Sequence, residues 1–504
     1  MESLTMNAKR AYGDYQTPTE FADEICKYLK NDLNLHPSAV LEPTCGIGNL
    51  LKSSLALEAK EYCGIELNPD YCRLCRQEIS DEKVNIVNAN VFDIPSVNFI
   101  HNKESVLVLG NPPWANSSTL SSIKGGNLPT KTNFKGINGI EAITGSGDFD
   151  ICEYIILKFA REWRGRQTTI AMLCKSSVAR NIFQDLKREE INFSSFLILN
   201  FDSNKVFGVS TSACLLVVSL SKEKSSPNFC NLYDFKSPED IKGRLNYNNG
   251  QLFNALKEDS EDFEGTSTFE WRQGLKHDCS KVMELIKKNE ILQNSSGEKV
   301  EIEKDLVFPL IKSSMFKSPL IHSFSRYVLV TQKKPGEETW RIETDYPKTW
   351  QYLEENKELF EKRKSSIYSG APPFSIFGVG RYSFAKYKVG VSGFYKNPLF
   401  SLLYSKEGKA VMLDDTCYFI SFDRYDPAYV AMLLLNSKRV QTFLKSIAFL
   451  DSKRPWSKKV LKRIDFKKIT ETLNIKDLQE TEQELNLSAY ITSRMYDNFK
   501  ASIA

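Results

Sequence analysis

A chain of 504 residues has room for two or three domains, and 41% hydrophobic with 26% charged residues is an ordinary globular composition. No apolar run approaches the ~20 residues of a membrane span, and the first residues lack the basic-then-apolar pattern of a secretory leader. Eleven cysteines, scattered singly, point to reduced thiols in a cytoplasm rather than to a disulfide framework. The net charge of +4 divides unevenly: residues 1–225 carry 24 basic against 26 acidic side chains, residues 226–504 carry 43 against 37, and residues 361–470 alone carry 21 against 8. A basic block that also holds Trp, Tyr and Phe is either the footprint of a nucleic-acid contact or a lysine-rich solvated face.

In chain order, Tyr15-Gln16-Thr17-Pro18-Thr19-Glu20 precedes an amphipathic run through Phe21, Ala22, Ile25 and Leu29. Thr17 reads as an N-cap, Pro18 as the first helical residue and Glu20 as the partner in a capping box. Helix N-termini present free N–H groups to anions, so Thr17 is also a candidate contact for a ligand carboxylate. Ala39–Leu51 then reads as strand, acid (Glu42), glycine-rich turn and helix. Gly46 and Gly48 permit close approach of backbone to a ligand, although most such turns are only turns.

The next strand, from Tyr62, ends on Glu66, the place where an acid would hold a ribose diol. Cys72 and Cys75 fall in a helix-like stretch with no second pair at metal spacing, which favours packing over zinc. Val84–Pro95 supplies a third strand with Asn90 and Asp93 at its end. A fourth, Val106–Leu109, runs into Asn111-Pro112-Pro113-Trp114. Two prolines remove two backbone donors and leave carbonyls free to accept; Asn111 adds an amide oxygen and Trp114 a flat face. Two acceptors beside a stacking surface suit a planar group bearing an NH2, such as the exocyclic amine of adenine. An isolated Asn-Pro-Pro would be no more than a turn. Strands alternating with helices imply a parallel sheet with ligands at its carboxyl ends, where all these polar residues fall.

Gln16-Thr17-Pro18, Leu41-Glu42-Pro43-Thr44-Cys45-Gly46-Ile47-Gly48, Gly64-Ile65-Glu66 and Asn111-Pro112-Pro113-Trp114, in that order, resemble the S-adenosylmethionine-dependent DNA adenine-N6 methyltransferases, and among them the γ group. The resemblance implies an α/β fold: a Rossmann-like catalytic domain with a mostly parallel sheet over residues 1–225, then an α+β target-recognition domain over 226–504. It implies that Thr17 and the backbone of Thr44, Cys45 and Gly46 hold the methionine end of S-adenosylmethionine, with Gly48 in the same loop. Glu42 would take the ammonium and Glu66 the ribose hydroxyls. The family usually places Asp where Asn90 stands, so the adenine contact falls to Asn90 or Asp93. Asn111, Pro112, Pro113 and Trp114 would form the catalytic tetrapeptide, and Phe207 would stack on the flipped base; its alternative is a core phenylalanine.

Residues 115–147, rich in Ser, Gly, Asn and Thr with Lys124, Lys131 and Lys135, read as a loop that orders over DNA. A helix to Trp163, a strand Thr169–Cys174 and an edge-type hairpin strand ending near Val218 follow. After the boundary near Pro227, helices are expected near 280–288, 347–362 and, capped by Asp426-Pro427, up to about Ala448. Short strands are expected over 374–379, 387–391, 398–404 and 417–422. Lys453–Arg463 is strongly basic around Trp456.

The implied partner is double-stranded DNA, met as a monomer, with a separate restriction endonuclease: no Pro-Asp followed by Glu-x-Lys in strand context suggests a fused nuclease. The alternatives are methylation of RNA or of a protein glutamine, whose planar amide fits Asn-Pro-Pro equally, and a non-catalytic DNA-binding subunit.

Overall fold

The computed structural model describes residues 15–93, 95–101, 103–115, 150–223, 226–254, 262–289 and 291–503. The chain separates into two compact units, 1–255 and 256–504.

The first unit is built on a ten-stranded sheet in the order β10-β9-β8-β6-β7-β5-β4-β1-β2-β3. Its strands are β1 Ala39–Glu42, β2 Glu61–Glu66, β3 Val84–Asn88, β4 Val106–Gly110, β5 Thr168–Lys175, β6 Phe193–Phe201, β7 Ala213–Leu220, β8 Phe229–Asp234, β9 Ser237–Asn248 and β10 Gln251–Asn254. From β3 to β5 neighbouring strands are parallel, whereas β7 runs antiparallel to both β5 and β6. A parallel strand covered on both faces must be apolar throughout. The Val106-Leu-Val-Leu run of β4 meets that requirement, and every residue of it is buried.

Helices α1 Thr19–Lys27, α2 Asn49–Ser54 and α3 Pro69–Glu78 pack one face of this sheet, joining Phe21, Ile25, Leu51 and Cys75 to Val40, Leu107 and Leu109 in one core. Helices α4 Ile151–Glu162 and α5 Ser176–Arg188 pack on each other and on β5. The chain leaves β1 for β2 on one side and returns to β4 on the other. This reversal leaves a crevice at the carboxyl ends of β1 and β4, the usual ligand position of open α/β sheets.

The unit is larger than residues 1–225. Strands β8, β9 and β10 continue the same sheet, β8 pairing parallel with β6, so the division falls after Ala255. For the same reason β7 is an internal strand, not an edge. The loop expected over 115–147 lies outside the described residues save Ala115, which is buried.

The strands of the second unit are β11 Arg272–Gln273, β12 Glu284–Lys288, β13 Ile291–Gln293, β14 Val307–Ile311, β15 Leu320–Ile321, β16 Arg326–Leu329, β17 Tyr387–Ser392, β18 Ser401–Leu403, β19 Met412–Leu413 and β20 Cys417–Phe422. They form two five-stranded sheets, β11-β20-β17-β18-β15 and β13-β12-β16-β14-β19, and helices follow from Tyr425 to Ile503. Tyr387–Ser392 (β17) and Cys417–Phe422 (β20) fall where expected, and Ser401–Leu403 (β18) is shorter. Three expectations are corrected. The helix at 280–288 is one turn, Ser280–Met283, that passes into strand β12 Glu284–Lys288. Residues 374–379 make only a single bridge, Phe377 to Lys276. The long helix to Ala448 is two, Tyr425–Asn436 and Lys438–Ile447, because Ser437 is extended at φ −60°, ψ 144°; Arg424 rather than Asp426 precedes the first.

Candidate active site

At the carboxyl ends of β1, β2 and β4 lies a cavity of about 360 Å³. Glu42, Thr44, Cys45, Gly46, Glu66, Asn90, Asn111 and Pro113 line it, with Thr17 from the segment before α1. These residues come from five separate stretches of sequence, and the strand order brings their ends together.

The glycine loop is tied to its surroundings through backbone donors. Gly46 N donates to Glu66 Oε2 at 2.9 Å, and Asn68 N donates to Glu66 Oε1 at 2.7 Å, so the carboxylate at the end of β2 is fixed from both sides. Ile47 N donates to the Gln16 side chain at 3.2 Å. Gly46 has φ +53°, a conformation that favours glycine, and a Cβ there would fall 2.4 Å from Gln16 Oε1, displacing the amide that holds Ile47 N. Gly48 acts differently. It has φ +89°, leads into α2, and a Cβ would strike Cys75 Sγ at 2.4 Å. Gly48 is a packing glycine between α2 and α3, not a cavity wall. Its neighbour across that contact, Cys75, hydrogen-bonds Cys45, and this bond together with burial holds Cys45 as a thiol.

Among the described residues, three polar atoms of side chains that line the cavity are buried without a hydrogen-bond partner: Glu42 Oε2, Thr44 Oγ1 and Asn111 Oδ1. Leaving such a group unmet costs roughly 1–3 kcal/mol, more for a charge. Burial pushes the Glu42 carboxyl well above its ordinary range; the negative potential of Cys75 and Glu66 adds to this, while a hydrogen bond from the Leu51 backbone opposes it. A ligand with a cationic group beside Glu42 would meet the orphaned oxygen and restore the ionised form. Glu66 beside the loop suits a hydroxyl pair. An α-amino acid joined to a nucleoside carries both, so the lining residues fit S-adenosylmethionine.

Asn111 is held by its nitrogen. Nδ2 donates to the Tyr15 carbonyl at 2.6 Å and to Thr17 Oγ1 at 3.3 Å, which turns Oδ1 into the open site. Thr17 itself is fixed by Asn49 Nδ2, which donates to its carbonyl at 2.8 Å. The capping role expected of Thr17 is not what the structure contains: Pro18 is the residue before α1, and no side chain caps that helix. A proline at the N-cap leaves the threonine hydroxyl one residue too far back and free to serve Asn111.

Trp114 lies behind the cavity. It is buried, and its indole nitrogen donates to the Leu173 carbonyl at 3.2 Å. Phe207 ends the short helix α6 Ser203–Phe207. The two rings meet edge-on, centroids 5.3 Å apart at 75°, with Tyr15 5.9 Å from one and 6.2 Å from the other. They therefore form one aromatic cluster, not two walls of an open slot. Asp93 is exposed and outside the cavity, whereas Asn90 lines it with Oδ1 accepting from Phe92 N at 3.1 Å. Sequence reading missed Tyr15, Asn68, Tyr71 and Phe92 as lining residues. Asn68-Pro69 was a detectable signal: the asparagine caps α3, accepting from Asp70 N at 2.9 Å.

No family model matches the chain. Type II methyltransferase M.NspV from Nostoc sp. is 38% identical over 475 residues, covering 92% of this chain and 98% of that relative. The type IIL restriction-modification enzyme MmeI, solved in complex with DNA, aligns over 99% of this chain and 77% of its own with a TM-score of 0.51 at 14% identity, a likeness of fold. The type IIG restriction endonuclease BpuSI aligns over 98% of this chain and 64% of its own, with a TM-score of 0.35 at 11% identity.

Proposed function

The chain belongs to the type II methyltransferase family, and we propose that it is the modification enzyme of a restriction-modification system, methylating the exocyclic N6 amine of an adenine flipped out of double-stranded DNA. The observation that carries this reading is Asn111: a buried amide oxygen with no partner among the described residues, on a side chain whose nitrogen is tied down twice. An acceptor fixed in this way selects a group that donates.

S-adenosylmethionine is the cofactor, and when bound it supplies an electrophilic methyl on a sulfonium leaving group. Glu42 takes the ammonium, and Glu66, preset by Gly46 and Asn68, takes the ribose hydroxyls. Asn90, which lines the cavity, would meet the adenine of the cofactor. Asn111 Oδ1 and the Pro112 carbonyl would each accept one N–H of the target amine, drawing its lone pair out of conjugation, and water would take the proton the amine gives up as it gains the methyl. Positioning of this kind accounts for most of the barrier reduction. Extruding the base costs a few kcal/mol, and stacking on the cluster of Tyr15, Trp114 and Phe207 recovers roughly 1–3 kcal/mol. Since Trp114 and Phe207 touch, the half-buried Phe207 ring turns aside to admit the base, with Gly208 (φ +69°) ending its helix. The second unit reads the target sequence, and a separate endonuclease cuts unmodified sites.

The test is to express the protein in cells lacking adenine methylation and sequence their DNA by a method that reports modified bases. Methylated adenine within one short motif, lost in Asn111→Ala, is the expected result. Purified protein that binds the cofactor while no modified adenine appears would overturn the DNA substrate and point to RNA or protein glutamine.

A further inference from the structure

The far end of the Asn111–Trp114 segment is held by a ring of contacts around the first turn of α4. Gly110 of β4 lies beside Met172 of β5, so the two strands leave the sheet together. Past that point Trp114 donates through its indole nitrogen to the Leu173 carbonyl at 3.2 Å, and the Ala115 carbonyl accepts from Ile151 N at 3.0 Å. Ile151 opens α4 and lines the cavity. The next residue, Cys152, donates through Sγ to the same Leu173 carbonyl at 3.8 Å.

Two charges close this ring. Asp150 is the N-cap of α4, and its Oδ1 accepts from Cys152 N at 3.0 Å. Its other oxygen, Oδ2, meets the ammonium of Lys175, the last residue of β5, at 2.6 Å. The Asp150 side chain is 9% exposed and that of Lys175 24%, so the pair is shielded as most surface pairs are not. A cap by itself calls for no cation; asparagine or serine would accept from Cys152 N equally well. What the lysine adds is a fixed distance between the end of β5 and the start of α4. The near end of the tetrapeptide is fixed separately, by strand β4 and by the bonds from Asn111 to Tyr15 and Thr17. Pro112 and Pro113 have little freedom of their own. The direction of the Pro112 carbonyl is therefore set by how both ends are held.

We infer that Asp150 and Lys175 are positioning residues for methyl transfer: their ion pair holds the first turn of α4 against the end of β5 and so aims the Pro112 carbonyl at the target amine. The inference rests on the amine-methylation reading above and adds the pair that orients its second acceptor.

The experiment follows transfer of a radiolabelled methyl from S-adenosylmethionine to a duplex carrying the motif that the sequencing reveals. The rate is counted per cofactor-binding site, so that unfolded protein does not enter it. Lys175→Met is expected to lower kcat about tenfold, the loss that follows when an acceptor is displaced by a fraction of an ångström, with KM for cofactor and DNA unchanged. Asp150→Asn keeps the cap, loses the ion pair and is expected to do the same. Lys175→Arg keeps the pair and is expected to restore the rate. Asp150→Asn combined with Lys175→Met leaves no shielded charge unpaired, and it carries the test if either single variant melts early. Its kcat is expected to match that of a single variant, because the two side chains act as one unit. A double variant that melts earlier but keeps the wild-type kcat would overturn the inference and leave the pair a structural brace. Weaker DNA binding with a salt slope reduced by about 1 and kcat intact would overturn it too, making Lys175 a phosphate contact. In both cases the wild type still methylates DNA and the reading above stands. A wild type that binds the cofactor and methylates no DNA would remove that reading and this inference with it.

Discussion

Two buried glutamates, one in each unit, show what separates a ligand site from a piece of framework. Glu482 in the second unit is 3% exposed, and Oε1 accepts from Tyr429 Oη at 2.6 Å, Tyr490 N at 3.0 Å and Ile491 N at 3.0 Å. Glu42 in the first unit is 2% exposed, and Oε2 has no partner among the described residues. Each carboxylate has lost its water, but Glu42 keeps one oxygen for which the described residues offer no replacement. A buried acid whose acceptors are filled by its own chain holds helices together; one left unfilled is waiting for a donor from outside. The same holds for amides. Asn436 Nδ2 donates to Phe400 O and Met432 O while its Oδ1 accepts from Phe400 N. Asn111 uses its nitrogen and leaves its oxygen open.

The comparison breaks most visibly at Asn111. Asn111→Ala removes the fixed acceptor and is expected to lower kcat by about 10³, in the range seen when one preorganised hydrogen-bonding group is removed from a reacting centre. Cofactor affinity, measured by calorimetry, is expected to change little. A loss confined to cofactor binding would take Asn111 out of the chemistry.

The next effect separates the two glutamates. Glu42→Gln is expected to weaken S-adenosylmethionine binding about 10- to 100-fold, since a hydrogen bond to a charged group contributes roughly 1.5–3 kcal/mol. The same substitution is expected to raise the melting temperature of the free protein. Burial raises the folded-state pKa of Glu42, so the folded protein holds a proton that the unfolded chain has released. The stability of the free protein therefore declines as pH climbs from the ordinary carboxylate range, near 4.3, through the raised value, and glutamine removes that decline. Glu482→Gln is expected to do the reverse, lowering the melting temperature and leaving cofactor affinity alone. For wild type, cofactor affinity is expected to fall as pH drops through the raised pKa of Glu42, because the ammonium needs the ionised form. A flat pH profile, shared by Glu42→Gln, would show that Glu42 does not meet the cofactor.

Much of the first unit could be read from sequence because its strands are hydrophobic runs closed by one polar residue. Such a run has one way to lie in a parallel sheet, and its last residue then falls at the crevice: Glu42, Glu66 and Asn111 all do. Thr17 and Gly48 fall in the expected neighbourhood, but the cap expected of Thr17 is absent and Gly48 does not line the cavity, because spacing gives no side-chain direction. The cap at Thr17 failed when Pro18 took the boundary, and Gly48 met α3, which no local pattern announces. Tyr15 was passed over because its contribution is a backbone carbonyl and a ring that finds Trp114 and Phe207 across long stretches of chain. In the second unit the strands are short and the sheets join distant segments, as where β11 Arg272–Gln273 pairs with β20. Ser280–Lys288 has an apolar spacing that fits a helix, and tertiary pairing with β16 Arg326–Leu329 makes most of it a strand instead.

The smallest expected effect is the one that sharpens the comparison furthest. If Asn111 acts through a fixed amide, the groups fixing it must matter in proportion to their share of the hold. Thr17 Oγ1 is the longer of two contacts, at 3.3 Å against 2.6 Å for the Tyr15 carbonyl. Thr17→Val therefore loosens the amide without releasing it, and kcat is expected to fall about three- to tenfold, the equivalent of one neutral hydrogen bond. Thr17→Ser keeps the hydroxyl and is expected to restore the rate. The family resemblance makes Thr17 a ligand of the cofactor, and the two roles separate cleanly. A positioning residue lowers kcat at saturating cofactor with binding unchanged, whereas a ligand weakens binding and leaves the saturated rate intact. Loss of affinity with normal kcat in Thr17→Val would return the threonine to the cofactor and leave the Tyr15 carbonyl as the anchor of Asn111.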